Sequence, residues 1–330
     1  MVYGLVLGKF YPLHKGHLGL VRFAASQCDV LFVLLCASDK EIIAGEIRLN
    51  WLNETFTDKN YGKAKIKPVL FNYSESELPN TSVSSRSVAK IWASKIKKLF
   101  NKIDVVFTSE KYGDYLAEFL SCKHISFDNV REQFPISASD IRKNPFKYWD
   151  YIAQAARPYF VKKVAILGTE STGKSILTQK LAAHFKTTFV SEAGREVVPE
   201  TEKCTITNLY EIAELHAQRI IEKLKYADKI LFIDTDINIT RSYAQFLFNH
   251  ELKVEPWVLE ANHADIYLYL EADAPFIQDG TRLNVLKRNR LDKLHKIMLE
   301  KSNVKFESIV GDWQERFVKA IELIETKFEV

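Results

Sequence analysis

The chain is predicted to fold as two α/β domains, each built on a mainly parallel sheet. Its length of 330 residues is about twice that of a typical domain. Short apolar runs alternate with longer amphipathic segments, and the alternation restarts near residue 160 with a new strand, a glycine loop and a helix. Buried strands separated by helical crossovers imply parallel pairing.

The first domain begins with an apolar run and continues with three more. The runs 2–7, 30–36, 65–71 and 105–108 are predicted to be strands, and 18–26 and 88–100 are predicted to be helices. Residues 146–158 also have a helical pattern, which Pro158 is expected to end because proline cannot continue a helix. We therefore expect a boundary at 158–162 and domains 1–158 and 159–330.

The second domain repeats this organisation. Strands are predicted at 164–167, 230–233 and 266–270, and residues 189–196 lead from an apolar strand into a charged turn. The first of these strands leads into a loop and then a helix over about 175–185. The domain is therefore expected to be a second α/β sheet.

Composition excludes several classes of protein. The net charge of +4 is too small to single out nucleic acid as a partner. The longest apolar run, 30–37, is far shorter than the roughly 18 residues of a membrane span. The chain begins in a strand pattern without a secretory signal, and its four cysteines are scattered. We expect a cytoplasmic protein without disulfides or structural zinc.

The loop after the first strand carries two histidines at the start of a helix. Gly8, which precedes Lys9 and Phe10, allows a ligand to approach the backbone. His14 and His17 lie three residues apart later in the same loop. A helix N-terminus favours anions, and imidazoles there can donate hydrogen bonds to phosphate oxygens. The alternative is a histidine pair that only caps the helix.

This loop resembles the signature of the HxGH nucleotidyltransferase superfamily. The matching residues are Gly8, Phe10, Pro12, His14, Gly16 and His17. The superfamily has a Rossmann-like fold and a second motif that 136–142 matches, which implies that Ser139 and Arg142 bind phosphate. Alone, this serine-rich start would more often be a helix cap. Ser109 follows a strand at the sheet edge where nucleotides bind.

The loop at 168–175 matches the P-loop pattern G-x-x-x-x-G-K-[ST] between a strand and a helix. The residues predicted to bind ATP here are Gly168, Glu170, Ser171, Thr172, Gly173, Lys174 and Ser175. Backbone N–H groups would surround the phosphates, Lys174 would reach the outer two and Ser175 would ligate Mg²⁺. ATP binding is therefore expected.

The rest of this domain favours a kinase. Asp234 lies at the end of a strand, at the position where a kinase places a carboxylate that binds Mg²⁺. Alternatively, Asp234 and Asp236 could cap the next helix. Glu192 could accept a proton from a substrate hydroxyl and Arg195 could steer a charged group, unless this is a solvated turn. A predicted lid contributes Arg282, Arg288 and Arg290, which could equally form a solvated helix face.

An HxGH nucleotidyltransferase joined to a P-loop kinase is similar to the NadR-type family of bifunctional nicotinamide-nucleotide adenylyltransferases and ribosylnicotinamide kinases. The resemblance extends to 146–149, 156–158, 233–236 and 278–282. It implies two ATP-dependent reactions with Mg²⁺: phosphorylation of nicotinamide riboside to nicotinamide mononucleotide (NMN) in the second domain, and adenylylation of NMN to NAD in the first. Some relatives carry an N-terminal helix-turn-helix, which is not expected here.

The resemblance implies roles for the candidate residues. In the kinase, Lys174 acts on the phosphates and Glu192 or Asp236 is the base, a choice that the sequence leaves open. In the adenylyltransferase, Trp92 is a candidate to stack on the nicotinamide ring, with a core position as the equal alternative. Coupling to a nicotinamide riboside transporter and a homo-oligomer are compatible with the family.

Two other functions stay open at this point. The first domain could be a weak enzyme, or only a sensor of NAD or ATP, beside an active riboside kinase. The same fusion could also act on another nucleoside.

Overall fold

In the first sheet, the strand that comes first in the sequence lies at the centre. The computed structural model describes residues 1–57, 63–79, 85–198, 203–273 and 283–329. The chain divides into two compact units, Met1–Tyr159 and a second that begins at Phe160. In the first unit the described strands are β1 (Tyr3–Gly8), β2 (Val30–Ser38), β3 (Lys65–Tyr73), β4 (Val105–Thr108) and β5 (Lys123–Ser126). They pair in the order β3-β2-β1-β4-β5, all parallel.

Burial explains which strands the sequence pattern could predict. The central residues of β1 and all of β4 are buried, as expected for strands covered on both faces. The four predicted strands of this unit are confirmed with shifts of one or two residues at their ends. The edge strand β5 has the polar sequence Lys-His-Ile-Ser, so its apolar signal is too weak to predict it.

The helices of the first unit follow the strands as crossovers. They are α1 (Lys15–Ser26), α2 (Gly45–Phe56), α3 (Arg86–Leu99), α4 (Tyr112–Leu120) and α5 (Ala138–Lys143). The helical pattern at 146–158 is present only as 3₁₀ turns at Trp149–Tyr151 and Gln154–Tyr159. The expectation that Pro158 ends this segment is wrong, because Pro158 lies within the second turn. A short 3₁₀ turn tolerates this proline because the fixed φ of proline lies in the 3₁₀ range and only one hydrogen bond is lost.

The second unit repeats the arrangement with β6 at the centre. Its described strands are β6 (Lys162–Leu167), β7 (Phe189–Val190), β8 (Ile230–Asp234), β9 (Ile266–Leu270) and β10 (Glu307–Ile309), in the order β10-β9-β6-β8-β7. All pairs are parallel. The predicted α/β class with two mainly parallel sheets is confirmed.

The helices of the second unit pack around this sheet. They are α6 (Lys174–His184), α7 (Gly194–Val197), α8 (Ile206–Leu224), α9 (Ile237–Phe248), α10 (Pro256–Asn262), α11 (Val285–Lys301) and α12 (Trp313–Phe328). Among the residues that the structure describes, every helix falls short of the apolar length needed to cross a membrane.

A fully buried histidine lies in the core of the second unit. His295 of α11 is fully buried, its ring centroid is 5.7 Å from that of Tyr243, and neither ring nitrogen has a hydrogen-bond partner among the described residues. Burial, with a smaller contribution from the charge of Lys174, lowers the pKa of His295 to about 3. The ring is therefore neutral in the folded chain.

Gly113 near the start of α4 is required by its surroundings. A Cβ at this position would lie 2.2 Å from Nε2 of His124 and 2.4 Å from Oγ1 of Thr108. We expect Gly113→Ala to lower the free energy of unfolding by about 1–3 kcal/mol, because the new methyl group must displace these side chains. Gly8→Ala is the control, since its Cβ would meet nothing closer than 3.7 Å. Urea denaturation measures both, and equal stability of the two variants would contradict the prediction.

His295 makes the stability of the chain depend on pH. Its pKa is about 3 when folded, against 6.5 when solvated. Its contribution is therefore present above pH 6.5 and is lost as the pH falls toward 3, reaching about 2 kcal/mol lost at pH 5. In His295→Leu the fall in unfolding free energy between pH 7 and pH 5 should shrink by about this amount. The same substitution at the exposed His263 should leave the fall unchanged, and an unchanged fall in His295→Leu would refute the assignment.

Candidate active sites

The first candidate site lies where β1 ends and α1 begins. His14 is buried and caps α1, with its Nδ1 accepting a hydrogen bond of 3.1 Å from the N–H of Gly16. The His17 ring lies over it, with ring centroids 3.8 Å apart, and contacts Phe10 at 4.9 Å. The loop therefore brings together both predicted histidines at a helix N-terminus, which is an anion-binding position.

Both histidines are uncharged in the folded protein. Burial, followed by the charge of Arg131, lowers the pKa of His14 to about 4. Burial, followed by the charges of His14 and Arg131, lowers the pKa of His17 well below its ordinary value. Because Nδ1 of neutral His14 accepts a hydrogen bond, its proton is assigned to Nε2. His14 can thus donate one hydrogen bond to a ligand.

The second predicted motif meets the first at Tyr11. Arg142 donates hydrogen bonds to the Tyr11 carbonyl and, at 3.0 Å, to the hydroxyl of Ser139. Its guanidinium carbon lies 4.6 Å from the centre of the Tyr11 ring, and the Tyr11 hydroxyl accepts from the N–H of Ile42 at 3.2 Å. Ser137 caps α5 instead of facing a ligand. Ser139 and Arg142 are therefore exposed beside the histidine loop, and their binding of phosphate stays a prediction.

Lys9 is held by carboxylates at the same sheet edge. Its Nζ lies 2.9 Å from Glu41 and 4.0 Å from Glu75. Glu41 also pairs at 2.7 Å with the fully buried Arg48, whose Nη1 donates to the Lys9 carbonyl at 2.8 Å. Lys9 keeps about 37% of its side chain exposed, so a phosphate could still reach it.

Ser109 follows β4 next to a hydrogen-bonded chain of three side chains. Thr108 lies 2.9 Å from Nε2 of His124, whose Nδ1 lies 2.7 Å from Asp114. Thr108 also donates to the carbonyl of Glu110 at 2.8 Å. This chain fixes the backbone around Ser109, which is half-buried at the edge where a nucleotide is expected.

Trp92 is packed within the first unit. Its indole N–H donates to the carbonyl of Pro79 at 3.1 Å, and its ring meets Tyr73 and Phe71 edge-on at 5.0 and 6.1 Å. It belongs to the partly buried rim of the core around β1 and β4. The proposed stacking on nicotinamide stays a prediction.

The second candidate site is the P-loop between β6 and α6. Gly168 and Gly173 have φ values of 138° and 88°, which favour glycine. Thr172 closes the loop by donating to the carbonyl of Thr169 at 2.8 Å, and Lys174 donates to the same carbonyl at 3.1 Å. The loop therefore ends at the N-terminus of α6 with its lysine beside it.

The residues predicted to hold Mg²⁺ fit that ion. Asp234 ends β8, is buried, and its Oδ1 has no hydrogen-bond partner among the described residues. Burial, followed by the like charge of Glu192, raises the pKa of Asp234 to about 6, while a hydrogen bond with Ser175 lowers it. Mg²⁺ commonly uses one or two protein oxygens together with phosphate oxygens. Within the described ranges, no group of three or more histidine, cysteine or acidic side chains is arranged to hold a metal ion by itself.

A cavity of about 300 Å³ opens beside the P-loop. Glu192, Arg195 and the buried His216 contribute to its wall, together with Lys174 and Ser175. Burial lowers the pKa of His216 to about 4, so its ring is neutral. The volume lies at the lower end of the range for small-molecule sites.

Asp236, the competing candidate for the kinase base, caps α9. Its Oδ1 accepts from the N–H groups of Asn238 and Ile239 at 3.0 and 3.2 Å, and its Oδ2 accepts from the Asn238 amide at 2.7 Å. It is buried and is not part of the cavity wall. Burial raises its pKa to about 6 despite these hydrogen bonds.

The predicted lid is described only in part. Residues 278–282, and with them Arg282, lie outside the described residues. Arg288 is buried and its Nε donates to the carbonyl of Glu170 at 2.9 Å, whereas Arg290 is exposed. The Glu170 carboxylate accepts from Tyr243 at 3.1 Å and from the N–H of Leu283 at 2.9 Å. Glu170 thus ties the P-loop to the segment that follows the lid.

Several polar residues around these sites carry no recognisable motif. Arg131 acts on both histidines of the first site, and its Nη2 lies 4.0 Å from Glu110. His216 lines the cavity from α8, and Tyr243 contacts the P-loop from α9. Of the residues that sequence reasoning did not assign to a site, only Tyr11 lies inside a recognised motif.

Comparison with known proteins identifies the relatives of this chain. A family model described as an AAA domain matches residues 163–316. The trifunctional NAD biosynthesis/regulator protein NadR of Escherichia coli (strain K12) is 33% identical over 347 aligned residues, which cover 97% of this chain and 82% of that protein. The protein of the same name from Salmonella typhimurium (strain LT2) is 32% identical with the same coverage.

Two solved structures share the whole fold. A structure of NadR protein in complex with NR matches with a TM-score of 0.81 at 21% identity, covering 99% of this chain and 96% of the other. A structure of NadR protein in complex with NAD and AMP-PNP matches with a TM-score of 0.79, also at 21% identity, covering 100% and 96%. At the identity and coverage of its curated relatives, the chain belongs to the NadR family.

Proposed function

We propose that this chain is a bifunctional NAD salvage enzyme with one active site in each unit. The second unit phosphorylates nicotinamide riboside with ATP to give NMN, and the first joins NMN to the AMP of a second ATP to give NAD and pyrophosphate. The observation that carries the proposal is that each unit ends its central strand in a phosphate-binding loop. One of the two NadR structures is a complex with NR and the other a complex with NAD and AMP-PNP, which supports these substrates.

In the kinase unit the cavity beside the P-loop receives the riboside. Glu192 lies in its wall and faces Asp234 closely enough to raise the pKa of that carboxyl group. We assign Glu192 as the base that accepts the proton of the 5′-hydroxyl, because Asp236 already accepts three hydrogen bonds as a helix cap. Lys174 leaves the Thr169 carbonyl and binds the transferring phosphoryl group.

Ser175 and Asp234 are the residues that would hold Mg²⁺. Their oxygens lie at the end of the P-loop, and the unpartnered Oδ1 of Asp234 suits a cation. When bound, Mg²⁺ neutralises charge on the phosphate oxygens. Burial and the like charge of Glu192 raise the pKa of Asp234 to about 6, whereas the charges of Lys174 and Arg195 oppose this rise and favour the ionised carboxylate.

In the adenylyltransferase unit no protein nucleophile is needed, because the phosphate of NMN attacks the α-phosphorus of ATP directly. Neutral His14 and His17 donate hydrogen bonds to phosphate oxygens at the N-terminus of α1. Arg142 supplies the positive charge as pyrophosphate leaves, with Ser139 orienting its guanidinium group. These residues therefore position the phosphates and stabilise the charge that develops on them.

The two sites should be separable by mutation. Lys174→Ala should lower riboside phosphorylation at least about a hundredfold and leave adenylylation of supplied NMN intact, whereas His17→Ala should do the reverse, because each removes a phosphate ligand from one site only. Chromatography of products from each substrate with ATP and Mg²⁺ measures both. Loss of both activities in either folded variant would rule out two independent sites.

The assignment of the kinase base is tested by two isosteric changes. Glu192→Gln should lower kcat for riboside phosphorylation by about 10²–10⁴ through loss of the proton acceptor. Asp236→Asn should retain kcat, because asparagine caps a helix about as well as aspartate. Steady-state kinetics at saturating ATP and riboside provide the comparison. A kcat that falls as far in Asp236→Asn as in Glu192→Gln would assign the base to Asp236 instead.

A further inference from the structure

A large aromatic side chain lies exposed on the P-loop. Trp313 begins α12, and about 47% of its surface is exposed. The outer edge of its indole covers Gly173, since a Cβ on that glycine would lie 2.0 Å from Cη2 and 2.2 Å from Cζ3 of the ring. An exposed tryptophan is unusual, because it leaves a large apolar surface in water.

Trp313 is held in this position by its own helix. Asp312 caps α12, accepting from the N–H groups of Gln314 and Glu315 at 2.8 and 2.9 Å. Arg316, one turn further, is fully buried and ties the helix to the P-loop by donating to the carbonyl of Thr172 at 2.7 Å. The indole therefore has a fixed place beside the phosphate-binding loop.

The position of this ring relative to the P-loop indicates its ligand. Gly173 directly precedes Lys174, the first residue of α6, so the indole covers the N-terminus of that helix. The phosphates of a bound nucleotide would lie at the same helix end. In a nucleotide, one ribose separates the innermost phosphate from the base. A flat, half-exposed indole beside the phosphate-binding loop therefore offers a surface on which the base can stack.

We propose that Trp313 is the base platform of the kinase site, on which the purine of the phosphate donor stacks. The inference rests on the proposed function in one respect, that a nucleoside triphosphate occupies the P-loop. If Trp313 only supported the P-loop, the edge of its ring would need to cover Gly173, but the rest of the indole would not need to be exposed. The platform contributes to nucleotide affinity, whereas the phosphates are held by the loop itself.

Kinetics on the full-length protein test the platform. Trp313→Leu should raise KM for ATP in riboside phosphorylation by about tenfold with little change in kcat, because it removes the stacking surface but no phosphate ligand. Trp313→Phe, which keeps an aromatic ring, should recover most of the affinity. Inorganic tripolyphosphate has no base, so its inhibition constant against ATP should be the same in Trp313→Leu as in the unaltered protein.

Two results would overturn the proposal. One is an unchanged KM for ATP in Trp313→Leu. The other is an inhibition constant for tripolyphosphate that rises as much as KM, because Trp313 would then only support the P-loop.

Tryptophan fluorescence during titration with MgADP separates this proposal from the choice of riboside. Stacking should quench the emission of Trp313, so a saturable quench in the unaltered protein should shrink in Trp313→Leu, while an equal quench in both would contradict the platform. The titration requires no riboside. It therefore gives a result even if the kinase site acts on another compound.

Discussion

Both candidate sites depend on the same constraint, which is that the central strand of a parallel sheet must end in a loop that leads into a helix N-terminus. β1 is flanked by β2 and β4, and β6 by β8 and β9, so each loop emerges between two neighbouring strand ends. At that place the free N–H groups of a helix N-terminus converge, which favours an anionic ligand. The sites differ in sequence, but the backbone geometry of both loops favours phosphate.

The two sites handle charge in different ways. The first places two neutral imidazoles at a helix N-terminus and keeps its cations, Arg142 and Lys9, at the rim, where Lys9 is balanced by Glu41 and Glu75. The second places two carboxylates, Glu192 and Asp234, near each other, and burial together with the charge of Glu192 raises the pKa of Asp234 to about 6. A site that only positions phosphates needs donors, whereas a site that must take a proton from a hydroxyl group needs a base.

The sequence predicted what is local in the chain. Strand, loop and helix follow one another at both glycine loops, so their signal is continuous and the fold class followed from it. The edge strand β5 was missed because it is polar, and the 3₁₀ turns before residue 160 were mistaken for a helix because both share an apolar spacing. The pattern around Pro158 could not distinguish the two.

Contacts made by distant elements could not be predicted. His216 enters the cavity from α8 and Trp313 covers the P-loop from α12, and neither belongs to a motif. The sequence offered Asp236 both as a base and as a helix cap. The hydrogen bonds that Asp236 accepts at the start of α9 support the cap, which is why Glu192 is the proposed base. Side chains brought together by packing depend on the whole fold, whereas a loop depends on a few adjacent residues.

Two separate sites are proposed to act in series on one substrate. A time course of products from nicotinamide riboside, ATP and Mg²⁺, followed by chromatography, is the decisive measurement. NMN should accumulate first and NAD should follow after a lag, and supplied NMN should remove the lag. NAD formation from riboside that never passes through free or trapped NMN, or no conversion of either substrate, would contradict it.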